Sequence, residues 1–156
     1  MKVTKRPVDR TAGKARASAG ERYVLEDQIG YLLRQVSQRH AVIFAELIGE
    51  DITPTQWAAL AKLHEIGPTS QNLLGRLTSM DAATIKGVVQ RLARRRLVQT
   101  RSDEMDGRRL IVALTETGAL LTRKLLPRAI SITEVTLTAL SAGGRAELMK
   151  LLGKLR

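Results

Sequence analysis

The side chains able to touch another molecule gather between Met80 and Leu114. Thr84, Lys86 and Gln90 offer hydrogen-bond donors and acceptors, set beside the small Ala83 and Gly87, and Arg91, Arg94, Arg95, Arg101 and Arg108 follow. Gln pairs bidentately with adenine and Lys donates to guanine, while guanidinium groups suit phosphates. That is the chemistry of holding duplex DNA, not of making or breaking bonds. The two histidines, His40 and His64, stand alone, no cluster has metal-ligand spacing, and Gly143-Gly144 lacks the lysine and strand of a phosphate-cradling loop. With no nucleophile elbow or acid pair to assemble either, an enzyme, a metal and a cofactor are all unexpected.

These residues need elements to aim them. Ile85, Val88, Val89 and Leu92 recur at steps of three and four, which predicts a helix that turns Ala83, Thr84, Lys86, Gly87, Gln90 and Arg91 to solvent. After Leu97 the period falls to two, with Val98 and Thr100 on one side and Gln99 and Arg101 on the other; past the tip Asp103-Glu104-Met105-Asp106-Gly107, Leu110, Val112 and Leu114 alternate on the way back. A helix and a two-stranded ribbon result. Short side chains on its leading face let such a helix enter the major groove. Arg108, steadied by Asp106, stands where the ribbon can pass a guanidinium into the neighbouring minor groove. The plainer alternative is an amphipathic helix with a solvated face and an ordinary hairpin.

The flanking segments frame this unit. Thr53-Pro54-Thr55-Gln56 has capping-box spacing with Pro at the first helical position, and its helix runs to about Glu65, turning Trp57, Leu60 and Leu63 inward before Gly67-Pro68. Thr69 or Ser70 caps a short helix carrying Leu73, Leu74 and Leu77, and Thr78 to Asp81 forms the turn that completes helix-turn-helix spacing. Ser70 or Gln71, at an exposed helix start, can add donors for phosphate. From Tyr23 to about Ile48 a long apolar stripe predicts one helix; Thr115 caps another, kinked at Pro127, and Ser141 a last short one whose first turn at Gly143-Gly144 should fray. The apolar surface of the first and last helices exceeds what one small domain needs. A homodimer is the expectation.

The string Thr84, Leu92, Leu97-Val98, Arg101, Asp103-x-x-Asp106-x-Arg108 and Leu114-Thr115-x-x-Gly118 resembles the winged helix-turn-helix signature of the MarR family of transcriptional regulators, and the resemblance extends from about Tyr23 over nearly all that follows. The family usually has Gly where this chain has Arg96, so a left-handed residue at the helix exit would be missing or strained, and its frequent wing arginine is Met105 here. The resemblance implies a mainly α fold with a small two-stranded β wing: dimerisation helices at about 23–49 and 116–156 around a winged helix-turn-helix at about 53–115. It also implies a homodimeric repressor on a palindromic double-stranded operator, released by a small anionic aromatic effector or its coenzyme A thioester in a cleft between dimer helices and winged unit. For that cleft the chain offers Arg34, Arg39, His40 and Trp57. Trp57 equally suits the core, and Arg34 and Arg39 suit the surface or intersubunit ion pairs.

Composition fits. A chain of 156 residues, 44% hydrophobic, builds one core. Its net charge of +11 and pI near 10.9 favour a polyanionic partner, either nucleic acid or an acidic membrane surface. A nonspecific architectural DNA-binding protein, held by charge and tail, is the alternative reading. Residues 1–22, with Lys2, Lys5, Arg6, Arg10, Lys14, Arg16 and Arg22 against Asp9 and Glu21, are expected to be a disordered basic arm. The absence of cysteine excludes disulfides and thiol redox sensing. No apolar run has membrane-spanning length, so a soluble, cytoplasmic protein is expected.

Overall fold

A computed structural model describes residues 23–155, and the expected basic arm lies outside the described residues. A 3-10 turn, Leu25–Asp27, precedes α1 (Ile29–Ile48), where the apolar stripe predicts one helix from Tyr23. The interruption falls at Gln28: its backbone is extended, and its side-chain amide donates to the Val24 carbonyl at 2.9 Å, closing the turn before α1 begins.

α2 (Pro54–Ile66) opens on a complete capping box. The Gln56 amide donates to Thr53 Oγ1 at 3.3 Å, and the Thr53 amide donates to Gln56 Oε1 at 3.1 Å. Then come β1 (Thr69–Ser70), α3 (Gln71–Leu77), α4 (Ala82–Arg94), β2 (Val98–Ser102), β3 (Leu110–Leu114), α5 (Glu116–Thr136) and α6 (Ala142–Lys154). The ribbon is thus part of a three-stranded antiparallel sheet in the order β1-β3-β2, not a sheet of two strands. Val98 lies opposite Leu114 and Ser102 opposite Leu110, while Thr69 and Ser70 pair with Val112 and Ile111 on the other edge of β3. Two residues are too few to show a period of two.

The core lies where α1, α2, α4, α5 and the sheet meet. Ile48, Leu60, Leu74, Ile85, Leu92, Val112 and Leu125 are each at most 2% exposed. α5 continues through Pro127, and the first turn of α6 is formed, with Ser141 Oγ accepting from the Gly144 amide at 3.2 Å. Burial along α1 is uneven. Phe44 and Ile48 are in the core, whereas Ile29, Leu32, Leu33 and Val36 are exposed, and α6 buries no residue although it carries Met149, Leu151 and Leu152. Among the described residues no helix is long and apolar enough to cross a membrane.

Candidate nucleic-acid interface

The presented helix is α4, and its start is fixed by Asp81. The Thr84 amide donates to Asp81 Oδ1 at 2.7 Å and the Thr84 hydroxyl to Oδ2 at 3.0 Å; these bonds hold the carboxyl below the usual aspartate range. Ser79 at φ 54° and a bond from the Met80 amide to the Gly75 carbonyl at 2.8 Å make the turn from α3. Ile85, Val88, Val89 and Leu92 are all buried, so Ala83, Lys86, Gln90 and Arg91 are left on the open face with Thr84 and Gly87 half-covered. The Arg91 guanidinium folds back along the helix, about 3.3 Å from where a side chain at Gly87 would begin. Arg91 and Arg94 are exposed and form no ion pair among the described residues.

The wing tip is a chain of side-chain turns. Asp103 Oδ1 accepts from the Met105 amide at 2.9 Å, and Asp106 Oδ1 accepts from the Arg108 amide at 3.1 Å while standing 3.6 Å from Arg108 Nε. The Arg108 side chain is 97% exposed, so Asp106 steadies its base and leaves the guanidinium in water. Arg101 instead bends to Glu104 at 3.3 Å. Of the two donors expected at the start of α3, Ser70 is buried and its hydroxyl accepts from the Leu73 amide at 3.3 Å; Gln71 is the more open one. Ser70, Gln71 and Asn72 border a cavity of about 90 Å³ with Arg108, Arg109 and Leu110. The fold therefore brings the start of α3 to the base of the wing, a meeting that no local pattern announces.

Arg95 departs from expectation. Read as a phosphate contact, it instead donates through Nη1 to the Asp51 carbonyl at 2.9 Å and through Nη2 to the Glu50 carbonyl at 2.7 Å. Arg96 is left-handed at φ 56°, the strained option of the two that its place at the helix exit allowed.

The profile of the MarR family matches residues 50–109. The HTH-type transcriptional repressor NicR of Pseudomonas putida is 41% identical over 134 residues, 85% of this chain and 85% of NicR. The chain belongs to the MarR family. A probable transcriptional regulator from Pseudomonas aeruginosa superposes with a TM-score of 0.83 at 51% identity, covering 85% of this chain and all of that one. Bordetella bronchiseptica BpsR, whose DNA binding is described as regulated by 6-hydroxynicotinic acid, superposes with a TM-score of 0.78 at 35% identity, over 83% of this chain and 98% of BpsR.

The residues considered for an effector in this MarR-family chain separate into two groups. His40 Nδ1 lies 2.9 Å from Thr136 Oγ1, and that hydroxyl is also 2.7 Å from the Ile132 carbonyl, so ring, hydroxyl and carbonyl form one chain of contacts between α1 and α5. His40 and Trp57 line a cavity of about 120 Å³ with Phe44, Ala129, Ile132 and Thr133. His40 also borders an apolar groove of about 520 Å³ between α1, α5 and α6, walled by Val36, Leu137 and Leu148. Trp57 packs partly on the core. Arg34 and Arg39 are exposed on α1 and line neither space. Thr136, which touches His40, and Thr133, which lines both spaces with it, were not legible as site residues, since α5 reaches His40 only through packing between helices far apart in sequence. Among the described residues no group of His, Asp or Glu could hold a metal ion.

Proposed function

We propose that this chain is a transcriptional repressor acting as a homodimer, which places two α4 helices in successive major grooves of a near-palindromic operator and is released by a small anionic aromatic effector. The observation that carries the reading is α4 itself: a capped helix whose apolar face is wholly buried and whose open face is Ala83, Lys86, Gln90 and Arg91, with Gly87 half-covered among them, followed by an exposed Arg108 steadied by Asp106. Lys86 and Gln90 read base edges, Arg91, Arg94 and Arg101 meet phosphates, and Arg108 enters the flanking minor groove. Arg101 must first leave Glu104, an exposed ion pair of little strength. The uncovered apolar faces of α1 and α6 suit a second copy, and a two-fold pair spaces its half-sites about one helical turn apart.

Support for this effector class comes from the cavities beside His40 and from a relative. BpsR is regulated by a hydroxylated pyridine carboxylate, and an apolar slot with one imidazole and two threonine hydroxyls suits a ring of that size. A coenzyme A thioester is the bulkier alternative. An effector acts only by preferring one separation of the two α4 helices. Titrating 6-hydroxynicotinate and benzoate-type acids into a preformed complex with the gene's own promoter should release the DNA; retention with every aromatic acid and thioester tried would remove the effector from the reading.

A further inference from the structure

Beyond the end of α1 the chain turns through three successive left-handed residues, Gly49, Glu50 and Asp51, at φ 67°, 59° and 50°. Only the first is glycine, so the corner persists because other elements hold it. Arg128 of α5 donates to the Ile48 carbonyl at 3.0 Å, across Gly49, where a side chain would begin 2.7 Å from its guanidinium. Lys124 of α5 pairs with the Glu50 carboxylate at 2.6 Å. Arg95, the cap residue of α4, spends both terminal nitrogens on the carbonyls of Glu50 and Asp51. Carbonyls at a helix C-terminus lack helical partners and lie at the negative end of the dipole, so cations gather there.

We propose that Arg95 is a positioning residue for DNA binding: its fork ties the exit of the recognition helix to the corner that ends α1, and so fixes the angle at which each subunit presents α4. The inference rests on the reading of α4 as the groove helix and α1 as part of the dimer. It separates from a phosphate contact by chemistry. A phosphate contact depends on charge, which lysine keeps; a fork on two carbonyls depends on shape, which lysine lacks.

The test uses the full chain as wild type, Arg95→Lys and Arg95→Ala. In the free protein, amide exchange is followed over residues 46–54 and 90–97; binding is measured on a duplex that the wild type selects from random sequence, and on versions with one base pair added or removed between half-sites. Both variants should exchange faster in both segments and should lose discrimination between spacings by roughly 2- to 30-fold, with the salt dependence of the wild type. A salt slope that falls by about one in Arg95→Ala yet survives in Arg95→Lys would mark a phosphate contact and overturn the proposal. Spacing discrimination equal to that of the wild type would overturn it too. If the wild type selects no sequence, the reading of the chain as a repressor fails. The exchange data then still decide whether Arg95 clamps the corner, and unchanged exchange would refute it.

Discussion

Gly118 lies against the backbone of Leu97 so closely that a Cβ there would stand 1.9 Å from the Leu97 carbonyl oxygen. The same oxygen accepts from the Thr115 amide at 3.1 Å, while the Thr115 hydroxyl donates to the Arg96 carbonyl at 2.7 Å and accepts from the Gly118 amide at 3.0 Å. The root of the wing and the first turn of α5 are one joint. Gly118→Ala must force them apart and should cost about 1–3 kcal/mol or more, seen as a lower urea midpoint with an unchanged slope. An unaltered midpoint would mean that α5 can slide without cost.

Arg96 is the converse case, a side chain where the backbone asks for none. At φ 56° a non-glycine residue is strained, and the Arg96 carbonyl is already fixed by Thr115. Arg96→Gly should raise stability by about 0.5–1 kcal/mol, the relief of strain less the entropy glycine gains when unfolded. Urea denaturation of the two proteins measures it, and a loss of stability would show that the arginine side chain contributes more than its backbone costs.

At the wing, Arg108→Ala should weaken operator binding by about 1–3 kcal/mol, with most of the loss on narrow, A·T-rich flanks. Asp106→Ala should act in the same direction but less, because the guanidinium keeps its charge and loses only its support. Anisotropy titrations on duplexes differing only in the flanks read both effects; equal losses on A·T-rich and G·C-rich flanks would take Arg108 out of the minor groove.

Acid should loosen α4 from its start. The folded carboxyl of Asp81 titrates below its unfolded value because the Thr84 amide and hydroxyl bind the ionised form. Its contribution is therefore complete above the ordinary aspartate range and drains away as pH falls through the lower folded value. Asp81→Asn keeps a capping oxygen without the charge. Stability against pH should fall more steeply for the wild type than for Asp81→Asn in that acid window, and parallel curves would contradict it.

The sequence made α4 legible because four apolar residues at helical spacing have one reading, and Ile85, Val88, Val89 and Leu92 all reach the core. Asp106 and Arg108 were legible as a pair since their contact is local. The left-handed Arg96 could be anticipated only as a departure from a pattern with glycine at that place. What stayed hidden depends on chain segments far apart. The Thr69–Ser70 strand exists because β3 has a second edge, Ser70 is buried by that pairing, and Arg95 finds its carbonyls in a corner that no spacing predicts. Likewise His40 meets Thr136 only because α1 packs on α5.

The most direct measurement is the ratio of affinities for the promoter duplex of the chain's own gene and for a scrambled duplex of equal length, at physiological salt and with the protein-to-DNA stoichiometry determined. The expected result is two chains per duplex and a preference of about a thousandfold or more, which Lys86→Ala combined with Gln90→Ala largely abolishes while binding to scrambled DNA persists. Near-equal affinity for the two duplexes, or a preference untouched by changing Lys86 and Gln90, would contradict α4 as the element that reads sequence.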